Sequence, residues 1–294
     1  MKGLQMAELP LFWTDEYWSQ FDSTSFSKMG SKCLSYWIAS EKVFQSGFLG
    51  PYGGLIPQSK MPSEEDLHVE FSDIEHHSGE LGLEYLQIRL PPEPLAYPLA
   101  AHTREVLKSR KWKLRYLEID HILHVDGNWI GKINRNRMRE LKDVEEYYKV
   151  TDSFTIETVH QILSKNRSQI GAPQNISLEK FKFLNSTLAD KVKNFVVSDM
   201  DENLVAAAFT LRIDSKSVYV SQWGDIREGS NPRRKSPMTF LASVLHEYCS
   251  REQVEFLYLG GSSLNGDINL GLARFKESLG AERYSREIWV KGIN

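Results

Sequence analysis

Residues 254–290 read VEFLYLGGSSLNGDINLGLARFKESLGAERYSREIWV. The apolar run Val254 to Leu259 is typical of a buried strand, and it ends at Gly260-Gly261. Glycines at a strand end allow a ligand or another backbone to approach closely. A helix is expected next, and Arg283 to Val290 predicts a second strand. The stretch therefore predicts alternating strands and helices at the end of the chain.

Composition limits the class of protein. The chain has 294 residues, of which 41% are hydrophobic and 26% charged, so it can bury a core and form one or two domains. Its net charge of −3 argues against a protein coated with nucleic acid. The two cysteines, Cys33 and Cys249, form neither a disulfide framework nor a zinc site, and we expect no metal. Without a signal peptide or a run of about 20 apolar residues, we expect a cytoplasmic protein with no membrane span.

The periodicity of apolar residues predicts further elements before Val254. In the second half these are two helices, three antiparallel strands and a third helix, over 156–165, 178–192, 195–197, 204–213, 218–223 and from Pro237. In the first half we expect a short helix capped by Thr14, a hairpin of 31–40 with 43–49, and a helix begun by Pro62-Ser63. Residues 132–149, basic and then acidic, predict one helix that joins the halves.

Short matches between the halves predict an internal duplication. Glu84-Tyr85-Leu86 matches Glu255-Phe256-Leu257, and Arg115-Tyr116 matches Arg283-Tyr284. Lys108 matches Lys276 at the same separation as the Arg-Tyr pairs. Because the predicted elements also follow in the same order, we expect two related domains with a cleft between them.

The order of elements in the second half resembles the GNAT acyltransferase fold, and the tandem arrangement resembles the FemAB-like branch of that superfamily. The phrases that carry the resemblance are SPMTFLASVLHEY (236–248), VEFLYLGGSS (254–263) and GLARFKESLGAE (271–282). The resemblance implies an α/β (α+β) protein of two tandem GNAT-like domains, each a mixed, mostly antiparallel sheet flanked by helices. We expect a first domain over residues 1–145, on the acceptor side, and a second over 146–294, on the donor side.

In GNAT enzymes the loop between the fourth strand and the following helix holds the pyrophosphate of the cofactor. The resemblance therefore assigns cofactor binding to Arg233, Arg234, Lys235, Ser236 and Thr239. The usual glycines of this loop are missing, so the backbone would approach a pyrophosphate less closely, and the three basic side chains would compensate by charge. Acyl-CoA is the expected donor. Aminoacyl-tRNA, which some FemAB-like proteins use, is the alternative.

Acyl transfer to an amine requires the neutral amine, so a base is expected nearby. Asp225, just after the third antiparallel strand, is the candidate base, and Tyr284 is the candidate acid for the leaving group. Trp223, at the end of that strand, is a candidate substrate contact. Lys276 either binds a phosphate or carboxylate of the substrate, or covers apolar surface with its stem and keeps its ammonium in water.

The sequence thus predicts a transferase that moves an acyl group to a small-molecule or peptide amine by direct attack. The alternative is a non-catalytic binding protein or pseudo-enzyme that keeps the GNAT fold, which the missing glycines favour. Two basic clusters, within 104–115 and 132–142, are either solvated faces or contacts for tRNA or another anionic substrate.

Overall fold

A computed structural model describes residues 10–19, 26–47, 50–58, 60–95, 99–142, 144–151, 154–173, 176–226 and 236–293. The chain forms two compact units. Unit 1 spans Met1–Asp120, Gly261–Asn269 and Tyr284–Asn294, and unit 2 spans His121–Gly260 and Leu270–Arg283. These units differ from halves divided at residue 145, because residues 121–145 belong to unit 2 and the end of the chain belongs to unit 1. The acceptor and donor roles of the halves stay predictions.

The helices of the described residues are α1 (Asp15–Trp18), α2 (Glu64–Glu80), α3 (Leu99–Ser109), α4 (Trp129–Lys132), α5 (Arg135–Leu141), α6 (Ile156–Gln169), α7 (Leu178–Thr187), α8 (Pro237–Arg251) and α9 (Leu270–Ser278). Short 3-10 turns occur at Leu11–Trp13, Glu93–Leu95 and Val144–Glu146.

The strands of the described residues are β1 (Phe26–Met29), β2 (Cys33–Ser40), β3 (Val43–Ser46), β4 (Ile56–Pro57), β5 (Tyr85–Arg89), β6 (Lys113–His124), β7 (Tyr148–Val150), β8 (Val192–Asp199), β9 (Leu204–Arg212), β10 (Ser217–Asp225), β11 (Phe256–Gly261), β12 (Ser263–Leu264), β13 (Asp267–Ile268) and β14 (Glu282–Gly292).

Unit 1 contains a mixed sheet with the strand order β1-β2-β3-β5-β14. β1 with β2 and β2 with β3 are antiparallel, which confirms the predicted hairpin. β3 and β5 are parallel because α2 crosses between them, and β14, from the end of the chain, adds an antiparallel neighbour to β5. The buried face of α2, with Leu67, Phe71 and Ile74, packs against the apolar side chains of this sheet.

The start of α2 was predicted correctly. Ser63 caps the helix, and its hydroxyl accepts a hydrogen bond from the backbone N–H of Asp66 while the Asp66 carboxylate accepts one from the N–H of Ser63. This reciprocal pair is a capping box and satisfies two N–H groups that the first turn leaves unpaired. Glu64 and Glu65 add negative charge where the helix dipole favours it.

Unit 2 contains an antiparallel meander, β7-β8-β9-β10, followed by β11, which is parallel to β10. Helix α8 makes the crossover between β10 and β11, as parallel neighbours require. Leu241 and Leu245 of α8 pack into a core with Val218, Val220 and Leu257. The predicted order of two helices, three antiparallel strands, helix, strand, helix and strand is confirmed over α6 to β14.

Two predicted helices were wrong in extent. Residues 132–149 do not form one helix, because the backbone is extended at Ile133 and again at Lys142. Between those residues Asn134 caps the separate helix α5 by accepting from the N–H of Asn136. The helix predicted over 178–192 ends at Thr187, and β8 already begins at Val192.

Candidate functional site

Strands β10 and β11 diverge in unit 2. Ser217, Val218 and Tyr219 pair with Phe256, Leu257 and Tyr258. Within 217–226 and 256–261, all of which the structure describes, no further pair joins the two strands although both continue. An irregularity in the β9 register between Val220 and Gln222 marks a bulge in β10 at the same point. We call this divergence beyond Tyr219 and Tyr258 the split. Along it, main-chain N–H and C=O groups of β10 can form hydrogen bonds with another strand or with a ligand that contains amides.

The bulge decides which side chains of β10 face which helix. Val218 and Val220 belong to the core under α8, and Trp223 packs against the same core although it lies an odd number of residues further on. An extra residue at the bulge accounts for this change of phase. Gly224 faces α6, because a Cβ built on it would lie 2.5 Å from the side-chain Oδ1 of Asn166.

The predicted base, Asp225, ends β10 next to this glycine. Its main-chain carbonyl accepts a hydrogen bond of 2.8 Å from Nδ2 of Asn166, which is buried on α6. Alternation from Gly224 puts the Asp225 side chain on the same face as Trp223. Asn166 therefore fixes the end of the strand that carries the predicted base, a positioning contact that the sequence did not indicate.

Trp223, the predicted substrate contact, is half-buried. Its ring lies 5.7 Å from the ring of Phe275 on α9, with an angle of 47° between the planes. The guanidinium carbon of Arg137 lies 5.0 Å from the centre of the Phe275 ring, a cation–π distance. Trp223, Phe275 and Arg137 thus form a continuous contact on the α8 side of the sheet.

Arg137 also closes a polar cluster at the first turn of α8. Its Nη1 donates to Oε2 of Glu140 at 2.6 Å and to Oγ1 of Thr239 at 3.2 Å, and its Nε donates to Oγ of Ser278 at 3.1 Å. Thr239 donates its hydroxyl to the same Glu140 oxygen at 2.7 Å. The sequence indicated Arg137 only as one member of a basic cluster, and the structure places it half-buried within unit 2 with three side-chain partners.

Ser236 and Thr239, two of the predicted cofactor contacts, therefore have internal partners. Ser236 caps α8 by accepting from the N–H of Thr239, and the Thr239 side chain is fully buried. Pro237 has no N–H, so this turn offers a ligand fewer donors than most helix N-termini. The Glu140 carboxylate already lies where the helix dipole favours an anion. Binding of a donor by these two residues stays a prediction.

The other three predicted cofactor contacts, Arg233, Arg234 and Lys235, lie outside the described residues. Tyr284, the predicted acid, is half-buried on β14 and belongs to unit 1, whereas Asp225 belongs to unit 2. A joint role for Asp225 and Tyr284 stays a prediction.

Lys276 is buried, so the alternative that leaves its ammonium in water is wrong, while its binding of a substrate phosphate or carboxylate stays a prediction. It is 2% exposed, and its Nζ donates to the main-chain oxygen of Gly260 at 2.9 Å. The ammonium is thus held inside unit 2 rather than in water. Beside it the buried imidazole of His121 lies with Nε2 3.5 Å from Oε1 of Glu277. Burial, and then the charge of Lys276, lower the pKa of His121 from 6.5 to about 4, so the imidazole is neutral at physiological pH.

Neither a metal-binding cluster nor a membrane-spanning helix occurs among the described residues. They contain no group of three or more His, Cys, Asp or Glu side chains that could hold a metal ion. None of their helices is long and apolar enough to cross a membrane. Cys33 and Cys249 are buried free thiols, and burial raises the pKa of each to about 12.

Comparison with known proteins gives the fold. No family model matches the sequence, and no curated protein matches it. Among solved structures, FemX superposes with a TM-score of 0.69 at 11% identity, over 95% of this chain and 91% of that chain. A tandem GNAT protein from the clavulanic acid biosynthesis pathway has a TM-score of 0.55 at 10% identity, over 89% and 79%. The fold is that of the FemAB-like tandem GNAT proteins.

The structure of L-PGS from Bacillus licheniformis is also similar, with a TM-score of 0.58 at 10% identity, over 90% of this chain and 83% of that chain. In all three comparisons the likeness covers most of both chains, so it concerns the whole fold rather than one domain. At this identity it extends to the fold alone. A shared fold does not fix the chemistry, which depends on the side chains that this chain places on it.

Proposed function

We propose that the chain is a transferase that moves an acyl group to an amine at the split between β10 and β11. The observation that carries the proposal is the split itself, since it opens main-chain groups in the middle of unit 2 beside Trp223 and Asp225. The FemAB-like tandem GNAT fold supports the same reaction class. The similar tandem GNAT protein from the clavulanic acid biosynthesis pathway is described as being without AcCoA, which supports acyl-CoA as the class of donor.

The amine has to lose a proton before it attacks. A lysine-type amine has a pKa of about 10.4, so holding it neutral at pH 7 requires roughly 4–5 kcal/mol. Asp225 is proposed to take that proton as the amine nitrogen bonds to the acyl carbon. The bond from that carbon to the donor sulfur or oxygen then breaks. Tyr284 is proposed to supply the proton that the leaving group takes up.

Thermal melting tests the donor. We expect acetyl-CoA to raise the Tm of the wild-type chain, because a ligand that binds only the folded state stabilises it. Arg234→Ala should remove the shift by taking away a phosphate contact, while Arg251→Ala, at the exposed end of α8, should keep it. If no CoA ester changes the Tm, the CoA form of the proposal is rejected.

Aminoacyl-tRNA is the second candidate donor, suggested by the resemblance to FemAB-like proteins. It predicts binding of charged tRNA whose affinity falls steeply as salt rises, because phosphate contacts release counterions. Absence of binding at low salt would exclude this donor. If neither class of donor binds, the non-catalytic alternative is favoured.

A further inference from the structure

Gln222 is a buried side chain without a partner. It lies on β10 just after the bulge and is 3% exposed. Neither its Nε2 nor its Oε1 has a hydrogen-bond partner among the described residues. Leaving buried polar groups unpaired is unfavourable, and folded proteins seldom do so without a reason. A ligand that bonds this amide would be such a reason.

The Gln222 amide faces α6. Gly224, two residues further along the strand, faces Asn166 of α6, and alternation gives Gln222 the same direction. Tyr219, before the bulge, lies on this face too, since its neighbours Val218 and Val220 belong to the core under α8. The α6 face of β10 therefore differs in character from the apolar α8 face.

Arg167 on α6 supplies a cation to this face. Arg167 is half-buried, and among the residues that the structure describes its side chain forms no ion pair and no hydrogen bond. Burial lowers the pKa of Arg167 and the charge of an ionised Tyr219 would raise it, so the guanidinium lies within electrostatic range of the Tyr219 side chain. An arginine stays protonated in spite of such a shift. By contrast, five other arginines that are buried or partly buried are paired with carboxylates, namely Arg104, Arg110, Arg137, Arg212 and Arg286.

We propose that Arg167 and Gln222 form a subsite for an oxyanion of the acyl acceptor, with the oxyanion on Arg167 and a neighbouring amide or hydroxyl group on Gln222. A guanidinium can donate two parallel hydrogen bonds to a carboxylate or phosphate. A primary amide can both donate and accept hydrogen bonds. The acceptor class is thus an amine that also carries a carboxylate or a phosphate. The assignment to an acceptor rests on the proposed function, whereas oxyanion binding itself does not.

The test is a ligand-observed NMR titration with probes that contain no acyl donor. N-acetyl-L-alanine is the carboxylate probe, its methyl ester is the uncharged control, and phosphoethanolamine is the phosphate probe. We expect at least one anionic probe to bind the wild-type chain and the ester not to bind. Binding of the carboxylate alone or of the phosphate alone identifies the source of the oxyanion.

Three variants connect the binding to the subsite. Arg167→Gln should weaken the bound probe at least tenfold, while Arg212→Gln, which removes an arginine already paired with Glu252, should leave its affinity unchanged. Gln222→Leu should also weaken binding, yet its ligand-free Tm should equal or exceed that of wild type, because it removes unpaired buried polar atoms. A lower Tm with unchanged affinity would mean that Gln222 has a purely structural role.

The proposal is overturned if neither anionic probe binds, or if Arg167→Gln binds as well as wild type. Its failure is separable from that of the transferase function. A chain that binds acetyl-CoA or charged tRNA but no anionic probe keeps the function and loses the subsite. A chain that binds an anionic probe but no donor keeps the subsite and loses the function.

Discussion

Replacing His121 by Gln should change how the stability of the chain depends on pH. The His121 side chain is fully buried, and its pKa of about 4 lies below the ordinary value of 6.5. Burial is the largest cause and the charge of Lys276 is the next, while the nearby Glu277 carboxylate acts in the opposite direction. The folded state therefore keeps the imidazole neutral over a pH range in which the unfolded chain protonates it.

The sign follows from proton linkage. Between pH 6.5 and about 4 the unfolded chain binds more protons at His121 than the folded chain, so acid favours unfolding. At about 1.36 kcal/mol per pKa unit, the loss reaches about 2 kcal/mol near pH 5 and about 3 kcal/mol near pH 4, relative to neutral pH. Above pH 6.5 the contribution is fully present.

The assay is urea unfolding of wild type and His121→Gln at a series of pH values. Carboxylates with lowered pKa values, such as Asp15 and Glu75, also lose stability in acid, but they do so equally in both proteins. The difference in unfolding free energy should therefore fall by about 3 kcal/mol from pH 7 to pH 4. Glutamine is the suitable replacement because it keeps a polar group near Glu277 but has no group that titrates. The two proteins therefore differ in the titration of His121.

Two results would refute this reasoning. One is a difference between wild type and His121→Gln that stays constant with pH. The other is an NMR titration of the His121 ring with a midpoint near 6.5, which would mean that the ring is solvated. In Lys276→Met the midpoint should rise instead, because the lysine charge helps to lower it.

Two further predictions concern the ends of β10 and α8. In Gly224→Ala the new Cβ would lie 2.5 Å from the Asn166 side chain and would break the hydrogen bond from Asn166 to the Asp225 carbonyl. We expect the free energy of unfolding, measured with urea, to fall by roughly 2 kcal/mol. The same substitution in an Asn166→Ala background should cost much less, and equal costs would contradict the proposed contact. Thr239→Val removes a hydroxyl that donates to the Glu140 carboxylate at 2.7 Å, and we expect a loss of about 1.5–3 kcal/mol. An unchanged stability would mean that the hydroxyl is solvated instead.

Local signals accounted for much of the fold. The cap at Thr14, the acidic first turn of α2 and the order of elements from α6 to β14 all follow from residue type and apolar spacing. The break within 132–149 was missed because helix-forming side chains there concealed an N-cap at Asn134. The extended backbone at Ile133 and at Lys142, and the hydrogen bond from the N–H of Asn136 to the Asn134 side chain, divide the segment.

The site was harder to predict, because its polar groups are joined by contacts across the sequence. Arg137 meets Thr239 and Ser278 through the packing of α5 against α8 and α9, and no spacing in the sequence indicates this. The direction of Gln222 depends on a bulge, which shifts the alternation by one residue without leaving a mark in the residue types. In the sequence Lys276 looks like an ordinary lysine at the edge of an apolar helix face. Only the fold shows that its ammonium is buried and bonded to the Gly260 carbonyl.

The most direct test of the transferase proposal is a crystal structure of the chain soaked with CoA. The proposal predicts density for the pantetheine arm between β10 and β11, bonded to main-chain groups beyond Tyr219, with the thiol near Asp225. CoA bound elsewhere, or strands β10 and β11 closed by hydrogen bonds to each other along their full length, would contradict it.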